Sequence, residues 1–136
     1  MNSRQEQKNY RLLVSQAEDA FLENKYLEAF LIQSCVFEGV VKNYALSMLR
    51  SAFLTNADLN RKSKNFEMAR LTDELFIAGK IGKELYENLN EYRKRRNEVI
   101  HKILKYKNRR QFEKELKEAY KLGMKMKVFI VEEMIK

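Results

Sequence analysis

AFLIQSCVFEGVV, residues 29–41, is the stretch on which the fold turns. Phe30, Phe37, Val41, Tyr44 and Met48 recur at helical spacing, and Leu27, Leu31, Cys35, Ala45 and Leu49 widen that stripe. An apolar face this broad on one helix, predicted over residues 25–54, requires burial on two sides, as at the centre of a bundle. Gly39 within it is expected to mark a bend or a close helix contact. Cys35 is the only cysteine, so it forms no intramolecular disulfide and no cysteine-based zinc site, and its apolar setting predicts a buried thiol.

The same periodicity extends in both directions. Tyr10, Leu13, Val14, Ala17 and Phe21 predict a helix over 4–22. TNADLNRKSKN, residues 55–65, reads as a loop. Met68, Leu71, Leu75 and Phe76 predict a short helix over 66–78, with Gly79 as its C-terminal cap. Two more helices follow, over 82–106 and from 109 to the end. The last turns, VFIVEEMI, are apolar on several sides, as deep burial or a subunit interface requires. The 136 residues contain no proline and only four glycines. The expectation is therefore a single all-α domain over 1–136, an antiparallel up-and-down bundle of four to five helices. No apolar run approaches the ~20 residues that span a bilayer, and no signal-like segment stands at the N-terminus. A cytoplasmic chain with no membrane partner is expected.

The net charge is +8, and its placement is informative. Residues 1–90 carry 12 basic and 12 acidic side chains; residues 91–110 carry nine basic and two acidic, a local excess of +7. Clustered positive charge is the footprint of a polyanionic partner, although a solvated helix or an acidic protein partner would use it equally.

That segment holds the single histidine, in RRNEVIH, residues 95–101. At 100° per residue, Leu85, Leu89, Tyr92, Val99 and Ile103 form the core stripe of the helix over 82–106, and Arg96 falls on it. His101 lies about 140° from Arg96, whereas Asn97 shares a second lane with Tyr86, Asn90, Arg93, His101 and Leu104. A bent last turn or a long arginine reach would reconcile Arg96 with His101. The tyrosines at 86, 92 and 106 read as helix packing rather than base-stacking platforms.

Arg96-Asn97-Glu98-Val99-Ile100-His101 fits Arg-x4-His with a polar residue after the arginine. On these residues, and on the apolar second helix with its embedded Glu38, the chain resembles the HEPN family (higher eukaryotes and prokaryotes nucleotide-binding domains). The resemblance covers roughly residues 10–130. It implies a HEPN-like helical bundle and a metal-independent endoribonuclease, in some members the toxin of a toxin–antitoxin pair. It implies that Arg96 stabilises the scissile phosphate, that His101 moves protons around 2′-hydroxyl attack, and that Asn97 orients His101 or the phosphate. Arg95 also satisfies the pattern with five intervening residues.

Around the motif, Arg93, Lys94, Arg95, Lys102 and Lys105 are candidates for drawing in RNA or nucleotide, and Lys107, Arg109 and Arg110 extend the patch. Glu38 is expected to support the motif arginine, or else to act as a carboxylate of the site. No metal and no cofactor is expected. RNA cleavage by its own 2′-hydroxyl needs both a base and an acid, and one chain has one histidine, so a homodimer is expected to bring two together. A cognate antitoxin would be a further partner. Two other readings remain: a non-catalytic HEPN-type module that binds nucleotide, RNA or a protein, and a helical adaptor that docks a partner through its C-terminal helix.

Overall fold

A computed structural model describes residues 4–49 and 68–135. The elements are α1 (Arg4–Leu22), α2 (Tyr26–Leu49), α3 (Met68–Ile77), α4 (Lys83–His101) and α5 (Arg109–Ile130), the last continuing as a π-helical turn, Val131–Ile135. Among the described residues every element is helical, and the helices pack on one another as an all-α bundle. None is long and apolar enough to cross a membrane. The expected loop over 55–65, the end of the second predicted helix and the start of the third lie outside the described residues.

The hairpins follow from local chemistry. α1 turns into α2 through Asn24 at φ 65°, a left-handed conformation that asparagine tolerates. α3 closes on Gly79 at φ 71°, with its N–H on the Phe76 carbonyl and the Lys80 N–H on the Leu75 carbonyl. That is the glycine cap expected from sequence. α4 and α5 run antiparallel. α2 and α5 run in the same sense: the Lys117 ammonium lies 4.9 Å from the centre of the Tyr26 ring, and further along Gln33 reaches the Tyr120 carbonyl.

α2 is the central helix. Ala29, Phe30, Val36, Phe37, Val40, Val41, Tyr44 and Ala45 are all buried, against α1 on one side and α3 and α5 on others. The widening of its stripe proves narrower than expected. Cys35 is exposed, at the rim of an open groove beside α1, and Leu27 and Leu31 are exposed in part. Gly39 is exposed too, with open space where a Cβ would stand. The close approach lies instead at Gly123 of α5, where an added Cβ would fall on the side-chain amide of Gln33.

α4 ends at His101, five residues before the expected end, so Ile103 leaves the core stripe and stands 42 % exposed. The C-terminal apolar run is buried in part. Ile130, Met134 and Ile135 are in the core while Val128 and Val131 face out. The wider π turn, with hydrogen bonds spanning five residues, ends the chain's last helix with Met134 and Ile135 buried. It also presents Glu133, whose Oε1 accepts the Gly82 N–H at 2.7 Å. Gly82 is the N-cap of α4; its own N–H lies ahead of the helix with no intrahelical acceptor, and a carboxylate from the C-terminal turn accepts it near the positive end of the helix. Glu133→Ala is expected to lower stability by about 1 kcal/mol, and Glu133→Gln by less, read from urea denaturation midpoints.

Candidate functional site

A buried polar chain underlies the motif helix. The Tyr92 hydroxyl donates to Gln33 Oε1 at 2.8 Å and shares a hydrogen bond with Ser34 Oγ at 3.0 Å. Gln33 Nε2 in turn donates to the Tyr120 carbonyl at 3.0 Å. Three helices are tied at one level. Burial pushes the Tyr92 phenol far above its ordinary range, against the hydrogen bond from Ser34 and the Arg96 charge, so it stays a neutral donor. The sequence signal for this network is Gln33-Ser34, two polar residues inside an apolar phrase.

Arg96 stands beside this network. It reaches across to α2, where its Nη1 donates to Glu38 Oε2 at 3.2 Å. Lys42 Nζ meets the other carboxylate oxygen at 3.1 Å. Burial raises the Glu38 carboxyl, but the hydrogen bonds and charges of Lys42 and then Arg96 outweigh it and hold the group below its ordinary range. A lowered folded value means that this contribution is present above the ordinary carboxylate range and fades as pH falls through the lowered one. Glu38 therefore holds Arg96 as an ionised partner at neutral pH.

The two arginines of the double pattern part company. Arg95 lies on the opposite flank of α4, 3.6 Å from Glu115 and 3.7 Å from Glu118 of α5. Arg96 instead lines a small cleft, about 10 Å³, with Ser34, Phe37, Glu38, Met68, Leu89, Tyr92 and Arg93. Arg93 was expected among the outer RNA contacts; one turn before Arg96, it shares that cleft. The Nε atoms of Arg93 and Arg96 are buried and have no hydrogen-bond partner among the described residues. Two guanidinium groups thus border one cleft, although their Nε donors are closed off from solvent and the cleft itself is too small for more than a water.

The remaining motif residues do not converge on Arg96 within one chain. α4 is regular through His101, so the bent last turn that would unite them does not occur. Arg96 and His101 stand about 140° apart around the helix. His101 is the exposed terminal residue of α4, and its ring makes no hydrogen bond or ion pair among the described residues. Asn97 is half-buried beside the Arg93 lane. Lys94 is exposed, and Lys102 and Lys105 lie exposed in the turn after α4. The tyrosines pack as expected: Tyr86 stacks on Phe76 at 4.3 Å and donates to Asp73, and Tyr106 lies against Phe112. Among the described residues, no group of three His, Cys, Asp or Glu is placed to hold a metal ion.

Searches for similar family models, curated proteins and solved structures find no match to this chain.

Proposed function

We propose that this chain is a HEPN-type, metal-independent endoribonuclease whose site is completed by a second copy. The observation that carries this reading is the division of labour along α4. Arg96, its side chain about a quarter exposed, is held by Glu38 beside Arg93, and His101 stands exposed and without a partner among the described residues about one and a half turns later. A phosphate needs the first, and proton transfer needs the second.

In the proposed reaction the substrate 2′-oxygen attacks the adjacent phosphorus. The new O2′–P bond forms as the P–O5′ bond breaks. One His101 takes the 2′ proton, and His101 of the second subunit gives a proton to the departing 5′-oxygen. Arg96 offsets the charge that builds on the phosphoryl oxygens, and Asn97 orients the neighbouring imidazole. Arg93, Lys94, Lys102 and Lys105 hold the strand; Arg95, engaged by two carboxylates, contributes less. The products are a 2′,3′-cyclic phosphate and a 5′-hydroxyl. The lone unpaired cysteine and an RNA substrate suit the cytoplasm, and an uncontrolled activity of this kind would call for a neutralising antitoxin protein.

The test is incubation of purified protein with RNA in the presence of a chelator. Wild type is expected to yield cyclic-phosphate ends and His101→Ala none. Equal cleavage by both, or cleavage by neither, removes the catalytic assignment. The angular separation of Arg96 and His101 favours one second reading, a non-catalytic HEPN-type module that holds RNA or nucleotide on the same arginines. Salt-sensitive RNA binding without turnover would select it.

A further inference from the structure

The turn between α4 and α5 carries apolar chemistry that RNA cleavage does not use. Ile100, Ile103 and Leu104 are 44, 42 and 94 % exposed within a span of five residues. Around them stand Lys102, Lys105, Lys107, Arg109 and Arg110, and residues 100–110 contain no acidic side chain. Only Arg109 of these five cations is tied to a carboxylate among the described residues, Glu113 at 3.0 Å.

The turn is anchored at both ends. The Lys102 N–H meets the Glu98 carbonyl at 3.1 Å, and the Lys105 N–H meets the Lys102 carbonyl at 2.8 Å. Beyond it the Tyr106 ring packs 5.1 Å from Phe112, and the Asn108 side chain caps α5 by accepting the Gln111 N–H at 2.8 Å. Held this way, the chain presents Leu104 at the end of the bundle with almost its whole surface in water.

We propose that this turn binds the surface of an anionic lipid bilayer. Leu104, with Ile103 and Ile100 behind it, enters the boundary between headgroups and acyl chains, and Lys102, Lys105, Lys107 and Arg110 meet lipid phosphates. Exposed aliphatic side chains and uncompensated cations on one projecting turn are what such an interface rewards. RNA satisfies the cations but gives Leu104 nothing in which to bury. The contact is peripheral and needs no membrane-crossing helix. It shares Lys102 and Lys105 with the cleavage reading but does not depend on it, since Arg96, His101 and Glu38 take no part.

Flotation of the full chain with vesicles tests it, using phosphatidylcholine alone and phosphatidylcholine mixed with phosphatidylglycerol. Flotation is expected with the anionic vesicles only, falling as salt rises. Leu104→Asp is expected to lower it about tenfold, with the circular dichroism spectrum unchanged. Lys105→Glu combined with Lys107→Glu is expected to lower it at least about tenfold. Three results overturn the proposal: no flotation with anionic vesicles, equal flotation with neutral ones, or wild-type flotation by Leu104→Asp. If the lysine changes abolish RNA binding while no vesicle is bound, the turn is a nucleic-acid surface instead.

Discussion

Gly123→Ala is expected to destabilise the fold by roughly 2–3 kcal/mol, whereas Gly39→Ala is expected to stabilise it by about 0.5–1 kcal/mol. Both glycines lie within helices, and on helix propensity alone both changes would help by up to ~1 kcal/mol. What separates them is space. Gly39 has nothing near its missing Cβ. At Gly123 that Cβ would fall on the Gln33 amide, which is fixed by its bonds to the Tyr120 carbonyl and the Tyr92 hydroxyl. The amide cannot move aside without breaking two buried hydrogen bonds, each worth about 1 kcal/mol. Overpacking adds roughly 1–3 kcal/mol, and the gain in helix propensity offsets part of the sum. Urea denaturation with an unchanged slope would report the two opposite shifts. The double variant Gly123→Ala with Gln33→Ala should recover part of the loss, since it removes the clash. Additive losses would mean that the two residues do not meet.

The pair of glycines also marks where sequence reading reaches its limit. The helices themselves were legible because apolar spacing at three and four residues is a local property. Phe30, Phe37, Val41 and Tyr44 are buried as that spacing requires. Gly79 was legible because a left-handed cap is set by its own backbone. Gly39 and Gly123 look alike in sequence, and only the partner across the interface distinguishes them. Cys35 and Leu31 fail for the same reason: they belong to an apolar phrase, but no helix among the described residues covers their arc. The end of α4 was overextended because Ile103 continues the stripe, whereas the chain turns to set Tyr106 on Phe112 and to start α5 at its Asn108 cap.

The candidate site divides along the same line. The pairing of Arg96 with Glu38 was foreseeable from an acidic residue embedded in an apolar helix and an arginine on a core stripe. Which of two adjacent arginines would take the position was not, because the answer lies in Glu115 and Glu118 of another helix. Arg93 lines the same cleft with a buried Nε, a feature of packing that one residue type at one position does not announce.

Mixing wild-type chains with His101→Ala chains in equal amounts, refolded together, is expected to leave about a quarter of the wild-type cleavage rate. Alone, the variant is expected to lose about 10²- to 10⁴-fold, the usual contribution of a proton-transfer group. The quarter follows from the arrangement of α4. One chain offers one histidine, on a face about 140° from its Arg96, and the proposed reaction would move two protons, one from the 2′-hydroxyl and one to the 5′-oxygen. If, as proposed, both histidines of a dimer serve one groove, only pairs of intact chains retain both, and random pairing makes these about one in four. If each chain worked alone, half of the rate would remain. The variant should leave stability almost unchanged, because His101 is exposed and holds no partner among the described residues. A mixing curve that falls with the square of the intact fraction would place the acid and the base on different subunits. A straight line would return the chemistry to a single chain, and with it the problem of an arginine and a histidine on different faces of one regular helix.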